Sequence, residues 1–247
     1  MNTSVQQLLQ HPSIWLGGQI EHSVAPVMAS GHAQLDAQLP GGGWPMGALT
    51  ELLHAHEGLG EVTLLMPTLA QLNRDGRGVL WIAPPHLPYA PALRAAGLVA
   101  EHNLIVTPSH PAEVLWAAEQ ALRSGACGAV IAWPEKSGVH SDLRAWRRLQ
   151  LAAETSGAMG FLFRPLSAAG EPSPAPLRLQ LDAGDGALHV KILKRRGAPA
   201  SASIALRLHP AHWRVQKAGE PAHVPQQLSL VMAPERSRAP RLSLHAH

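Results

Sequence analysis

The residues with the right spacing to hold a phosphate group lie at positions 54–63, HAHEGLGEVT, between an apolar run and a helical pattern. A glycine-rich turn from a strand into a helix binds phosphates because its backbone N–H groups and the helix N-terminus attract anions. A nucleotide-hydrolysing loop also needs a lysine after its last glycine, but Gly60 is followed by Glu61. That carboxylate would repel a phosphate by about 4 kcal/mol at about 4 Å and a dielectric of about 20. We therefore predict a degenerate nucleotide site comprising Gly58, Gly60, Glu61, Val62 and Thr63.

Other catalytic chemistries have weaker support in the sequence. His54 and His56 form an H-x-H pair beside Glu57, which supplies too few ligands for a closed metal site. The single cysteine, Cys127, cannot complete such a site, and no G-x-S-x-G motif is present to anchor a hydrolase triad. We expect no metal site and a structural or incidental role for these histidines.

The elements around this turn alternate between short apolar runs and helical patterns. Predicted strands cover 48–53, 79–83, 104–107, 127–133 and 160–163; predicted helices cover 61–72, 90–96, 141–155 and a segment that Pro111 opens and Gly125 caps. Strands at 177–181 and 188–193 form a hairpin after a loop at 167–176, and a further strand covers 204–208. This order predicts an α/β fold: a mostly parallel sheet flanked by helices, with a C-terminal β-hairpin extension and a flexible basic tail.

Composition excludes several protein classes. Of the 247 residues, 46% are apolar, which is too high a fraction for a disordered chain. The sequence has no run of about 18 apolar residues, so it predicts no membrane-spanning helix. The N-terminus carries no export signal, so we expect a cytoplasmic protein. From Lys191 onward, ten bases face two acids, a net charge of +8. This charge either keeps the tail soluble or attracts a polyanion or an acidic protein.

Residues 31–51, GHAQLDAQLPGGGWPMGALTE, resemble the segment that leads into the phosphate loop of RecA recombinases. The resemblance continues through 79–86, 90–98 and 118–133, and 190–194 resembles a basic RecA strand. It covers most of 28–199 and implies a RecA-like core there, with an N-terminal arm at 1–27 and a basic tail at 200–247.

The departures from RecA fall on its ATPase residues. RecA-like enzymes place a catalytic Glu where this chain has Pro85, and a magnesium-binding Asp where it has Trp133. Together with Glu61, these losses imply a RecA-shaped chain that is not an enzyme and takes no cofactor. A displaced acid at Glu135 is the alternative.

The phrases LQHPSIW at 9–15, ALTELL at 48–53 and LKRRGAP at 193–199 resemble the ImuA family. That resemblance implies a part in SOS-induced translesion synthesis with ImuB and an error-prone replicative-type polymerase, and contact with RecA. Two alternatives stay open: a degenerate RecA-like ATPase, or a cell-division inhibitor of the SulA type.

Two clusters of basic residues are predicted contact surfaces. The bases at Arg144, Arg147 and Arg148 share a helix face, and those at Lys191, Lys194, Arg195 and Arg196 form a second cluster. Each group is read either as a solvated surface or as a contact to phosphate or to an acidic partner. The segments matching RecA's two DNA-binding loops are short, which leaves direct DNA contact open.

Terminal segments offer two more candidates. The peptide Gln227, Leu228, Leu230 resembles a sliding-clamp docking motif, with an edge strand as the alternative. A short helix carrying Trp15 either docks a partner or folds back. Among the other tryptophans, Trp44, Trp81, Trp116 and Trp133 are predicted to lie mostly in the core.

Overall fold

A computed structural model describes residues 26–110, 112–134, 143–196 and 203–208. The predictions for Trp15, for Glu135 and for the clamp-like peptide at Gln227, Leu228 and Leu230 fall outside these ranges.

Ten strands and five helices occur within the described ranges. The strands are β1 Val27–Met28, β2 Trp44–Pro45, β3 Leu49–His54, β4 Gly78–Ile82, β5 Asn103–Val106, β6 Cys127–Ala132, β7 Met159–Pro165, β8 Leu177–Gly184, β9 Ala187–Lys194 and β10 Ile204–Leu206. The helices are α1 Ala33–Asp36, α2 Glu61–Arg74, α3 Ala90–Ala95, α4 Glu113–Ser124 and α5 Leu143–Ser156.

Eight strands form one sheet in the order β10-β9-β8-β3-β7-β6-β4-β5, and β1 pairs with β2 separately. Every pairing from β8 through β5 is parallel, while β9 runs antiparallel to β8 and to β10. The predicted α/β class with a mostly parallel sheet and flanking helices is therefore confirmed. β3 and β6 are buried along their whole length, as expected of central parallel strands.

Helix α2 covers one face of this sheet and follows directly from the candidate site. Its leucines at 64, 65, 69 and 72 are fully buried because a spacing of three and four residues keeps them on one side. Gly60 caps the helix with φ of 90°, a left-handed conformation that a glycine adopts without a steric penalty. The N-terminus of α2 therefore lies at the turn that follows the end of β3.

Helices α4 and α5 pack against each other and cover the opposite face, over β4, β6 and β7. Trp146 and Leu149 of α5 are buried there, and the side-chain oxygen of Gln150 accepts the Leu49 N–H at 3.0 Å. Gly125 ends α4 with φ of 64°, which confirms its predicted role as a C-cap.

The structure differs from the sequence prediction at two places. The start of the predicted loop at 167–176 falls in a 3₁₀ helix, Leu166–Gly170. The helix after β5 begins at Glu113, and its predicted first residue, Pro111, lies outside the described residues. Trp116 is 63% exposed instead of lying in the core. Val114 and Ala118, four positions apart, lie on the face of α4 that packs on the sheet. Trp116, midway between them, therefore lies on the opposite face of the helix.

Candidate functional site

The residue that follows the turn at 54–60 places an anion against that turn. Glu61, the first residue of α2, is 6% exposed, and its Oε1 atom accepts a hydrogen bond from the Gly58 N–H at 3.2 Å. Gly58 and Gly60 both have positive φ, 84° and 90°, so the turn is tightly wound. A carboxylate at the start of a helix is stabilised by the helix dipole and by such N–H donors. The chain itself thus supplies a negative charge to this turn.

Aromatic rings fill the ends of the neighbouring strands. Trp133, directly after β6, stacks on Phe163 of β7 at 4.8 Å between ring centroids and on Trp81 of β4 at 6.4 Å. The edge of the His54 ring meets Phe163 at 5.9 Å. Trp133 is 4% exposed. The position at which the RecA resemblance places a magnesium-binding Asp is therefore occupied by a buried aromatic ring.

Two polar atoms of this stack lack partners among the described residues: His54 Nε2 and Trp133 Nε1. His54 Nδ1 donates to the His56 carbonyl at 3.0 Å, since a carbonyl oxygen only accepts. An indole N–H is a donor and cannot hold a cation. Within 26–134, the residues at this end of the sheet therefore do not fit a magnesium-bound nucleotide of the RecA kind, for which an anionic oxygen at position 133 and a cation at position 61 would be needed.

The segment after β4 contains Pro85, which stands where RecA-like enzymes have a catalytic Glu. Ala83 has φ of 52°, unusual for a residue with a side chain, and its N–H donates to the Val106 carbonyl at 2.9 Å. Half-buried Pro85 follows, and His86 Nε2 then lies 3.4 Å from Glu57 Oε2. The structure therefore brings the segment around Pro85 next to the turn before Gly60.

A cavity of about 570 Å³ lies beside the start of α2. It is lined by Leu59, Gly60 and Thr63 at the start of α2, by the turn between β8 and β9, and by Leu208. Val62 instead packs against the core and does not line the cavity. The predicted site residues therefore separate into two groups that face different surroundings.

A buried charge cluster, which the sequence analysis missed, lies on the helix-covered face formed by α4 and α5. Glu51 of β3 is 0% exposed, and its Oε2 accepts from Arg178 Nε of β8 at 2.7 Å. Its Oε1 lies 3.3 Å from Arg164 Nη1 of β7 and also accepts from the Ser173 hydroxyl. The Arg164 guanidinium stacks on the Trp146 ring at 4.5 Å. Two cations thus share one buried carboxylate, and the only hint in the sequence is a charged residue inside a buried strand.

This cluster also fastens the segment after β7, which matches a DNA-binding loop in the RecA resemblance. Arg178 donates to the carbonyls of residues 168, 169 and 171, and Arg164 Nη2 pairs with Glu171 at 2.7 Å. Lys194 Nζ donates to the Ser173 carbonyl at 2.8 Å. Residues 166–173 are therefore held against the sheet by hydrogen bonds to three basic side chains.

The predicted basic groups occupy different parts of the surface. Arg144, Arg147 and Arg148 are exposed on α5, and Arg148 Nε pairs with Glu119 of α4 at 3.0 Å. In the second group, Lys191, Lys194 and Arg196 are exposed, whereas half-buried Arg195 donates to the Gln38 carbonyl. Partial desolvation of the exposed Lys194 amine, together with the nearby Arg178 charge, lowers its pKa. The four bases are therefore not one uniform patch.

Two further observations concern only the described ranges. No helix there combines the length and the apolar character needed to traverse a bilayer. Nor do those ranges contain a cluster of three or more His, Cys, Asp or Glu side chains that could hold a metal ion.

Comparison with known proteins gives two kinds of match. The family model described as "Cell division inhibitor SulA" matches residues 47–160. Protein ImuA of Caulobacter vibrioides (strain NA1000 / CB15N) is 31% identical over 201 residues, which cover 77% of each chain. Cell division inhibitor SulA of Cronobacter sakazakii is 35% identical over 120 residues, 47% of this chain and 68% of that protein. The Serratia marcescens SulA is 29% identical over 119 residues, 48% of this chain and 68% of that protein.

Proposed function

The chain belongs to the ImuA family, and on this basis we propose that it is a non-catalytic accessory protein of SOS-induced translesion synthesis. It acts as an adaptor for ImuB and for an error-prone replicative-type polymerase. RecA and the sliding clamp are further partners in this proposal, and the cytoplasm, where the chromosome is copied, is its place of action.

The observation that carries this proposal is the extent of the ImuA match. It covers 77% of this chain, against 47% for the Cronobacter SulA. The chain shares with ImuA a longer stretch than it shares with SulA, which favours the ImuA role.

The non-catalytic part of the proposal is supported by the geometry of the turn. Phosphoryl transfer depends on cations that neutralise charge on the phosphates. Here Glu61 presents a negative charge at the helix N-terminus, and Trp133 is stacked between Phe163 and Trp81. Restoring a nucleotide site would require both side chains to be displaced from buried positions.

Association with ImuB tests the adaptor role directly. The full-length chain and the ImuB encoded in the same genome are purified separately and titrated by calorimetry, with an unrelated Y-family polymerase as the control. We expect saturable binding to ImuB and none to the control. Absence of binding to ImuB would contradict the adaptor role.

A thermal-melting experiment tests the non-catalytic role. A ligand at 100 times its Kd stabilises a folded protein by about 2.7 kcal/mol, which raises the melting temperature measurably. We expect millimolar ATP to leave the melting temperature unchanged with or without Mg²⁺. Stabilisation that requires Mg²⁺ would instead favour the degenerate ATPase.

The family-model match to residues 47–160 favours one second candidate, a cell-division inhibitor of the SulA type. Overproduction of the full chain in its host distinguishes the two functions. We expect cells of normal length, while filamentous cells would support the SulA-type function.

A further inference from the structure

The cavity beside the start of α2 has a largely apolar wall. Among the described residues that line it are leucines, alanines, glycines and Thr63, and the one ionisable side chain is that of Asp185. The negative charge of this carboxylate disfavours an anionic ligand, and the many carbon atoms of the wall favour an apolar one. The cavity volume of about 570 Å³ is ample for an indole ring, since pockets of about 300–1,000 Å³ hold drug-sized molecules.

One side of the cavity is the tight turn between β8 and β9. Asp185 and Gly186 have φ of 52° and 70°, and two successive positive values are typical of a two-residue type I′ hairpin turn. Ala183, just before this turn, pairs with buried Leu188 of β9 and lies on the same face of β8 as buried Leu181, because side chains alternate along a strand. Ala183 is therefore a position from which a larger side chain would fill the cavity.

The last described residue, Leu208, belongs to the opposite side of this cavity. After β10 the Leu208 N–H donates to the Leu206 carbonyl at 3.1 Å, a three-residue turn that bends the backbone at Arg207. The Leu208 side chain reaches the start of α2, where its Cδ1 atom lies 3.4 Å from the point that a Cβ atom on Gly60 would occupy. The residues that follow Leu208 in the chain therefore start from the cavity wall.

The sequence after Leu208 supplies a large apolar side chain within reach of the cavity. Residues 209–214 read HPAHWR and lie outside the described ranges. Trp213 is five residues from Leu208, a span of at most about 18 Å, so its ring can return to the cavity from which the segment starts. Pro210 fixes its own φ and restricts His209, which lowers the entropy cost of ordering this segment.

We propose that the cavity is the docking site of the chain's own 209–214 segment, with the Trp213 indole ring against the leucines of the wall. An indole combines a large apolar face with one N–H donor. That N–H donates to the Thr63 hydroxyl, which lines the cavity and has no hydrogen-bond partner within the described ranges. The inference concerns a contact within one chain and does not depend on the proposed adaptor function.

The covalent connection favours this occupant over a separate molecule. A short linker gives the tethered group an effective concentration in the millimolar range. A free ligand instead loses its translational and rotational freedom when it binds. Docking that would be too weak for a free peptide is therefore populated when the peptide begins at the cavity wall, and it removes the apolar wall from water.

The test uses the full-length chain with its seven tryptophans replaced by 5-fluorotryptophan. Fluorine NMR spectra are recorded with and without a soluble gadolinium chelate, which broadens the resonances of exposed rings. Trp213→Phe and Trp116→Phe identify two resonances by their loss, and Trp116, 63% exposed, is the reference for an exposed ring. Ala183→Phe fills the cavity, and Ala205→Phe on β10 is the matched control, because both alanines are exposed and Ala205 does not line the cavity.

In the parent chain we expect the Trp213 resonance to lie away from its position in urea and to broaden severalfold less than that of Trp116. Ala183→Phe should move the Trp213 resonance to its urea position, and Ala205→Phe should leave it in place. The other six resonances report whether each variant is folded. If Ala183→Phe disturbs them, Thr63→Leu narrows the cavity from α2 and removes the hydroxyl acceptor, with the same expected result.

Three results would overturn the docking. A Trp213 resonance at its urea position in the parent chain would mean that the ring lies in solvent. A displaced resonance that neither cavity variant moves would mean that the ring packs elsewhere. A displaced resonance that returns to its urea position on dilution, with a dimeric mass by light scattering before dilution, would mean that the ring comes from a second copy of the chain.

Discussion

Glu61 folds back over the turn that precedes it, with its Oε1 atom 3.2 Å from the Gly58 nitrogen. Glu61, whose charge makes the turn unfit for a phosphate, is therefore also the residue that accepts a hydrogen bond from the turn. The positive end of the helix favours a negative partner, and the chain supplies one covalently.

Removing that carboxylate should destabilise the fold. Glu61→Ala leaves the Gly58 N–H without its acceptor and the start of α2 without its charge, so we expect a loss of about 1–2 kcal/mol in the free energy of unfolding. Glu61→Gln keeps an oxygen acceptor and should lose less. Urea denaturation measures both, with exposed Glu101→Ala as the control. Equal stability of Glu61→Ala and the parent chain would mean that the turn does not depend on this bond.

The shared carboxylate at Glu51 should matter more. Glu51→Ala leaves Arg164 and Arg178 buried without their common anion, and breaking a buried ion pair typically costs about 3–5 kcal/mol. Glu171→Ala, which removes the half-exposed partner of Arg164, should cost about 1 kcal/mol or less. The urea midpoints of the two variants compare these losses. A similar midpoint for both would show that burial of Glu51 adds nothing.

Stability should fall in mild acid because of His32. Burial lowers the pKa of His32 below 6.5, against the opposing effects of its hydrogen bond to the Leu64 carbonyl and of the Asp36 charge. As the pH falls from 6.5, the unfolded chain takes up this proton before the folded chain does, so folding is disfavoured progressively down to the lowered pKa. Urea midpoints at pH 7.5 and 5.5 measure the decrease. His32→Gln should shrink the difference between the two pH values; an unchanged difference would assign the effect to other groups.

The single cysteine should be unreactive in the folded chain. Burial raises the pKa of the Cys127 thiol, and its Sγ lies 3.5 Å from the Ala121 carbonyl. Little thiolate is therefore present or accessible at neutral pH. A disulfide reagent such as DTNB should label one thiol per chain in guanidinium chloride and none within minutes in native buffer. Rapid native labelling would show that β6 opens readily.

Local pattern was enough to predict most elements of the sheet. The predicted helix at 61–72 and the strand at 48–53 match α2 and β3 within one or two residues at each end, and Gly125 ends α4 as expected. These features depend on spacing of apolar residues and on glycine conformation, both of which are local properties. The turn at Gly60 could be located for the same reason.

What the sequence could not show was which side chains meet. Glu51 joins Arg164 and Arg178, which lie 113 and 127 positions away, only because β3 is flanked by β7 and β8 in the sheet. The Glu61 bond to Gly58 needed the actual path of the turn.

By itself, the sequence determined the mostly parallel α/β class, the place of the turn and the absence of its lysine, because these follow from residue type and local spacing. Only the tertiary structure decided that Trp133 is stacked inside the strand ends and that Trp116 faces solvent. The reason is physical: whether an aromatic side chain is buried depends on which distant element packs over it, and two tryptophans with similar apolar neighbours in the chain can meet opposite surroundings.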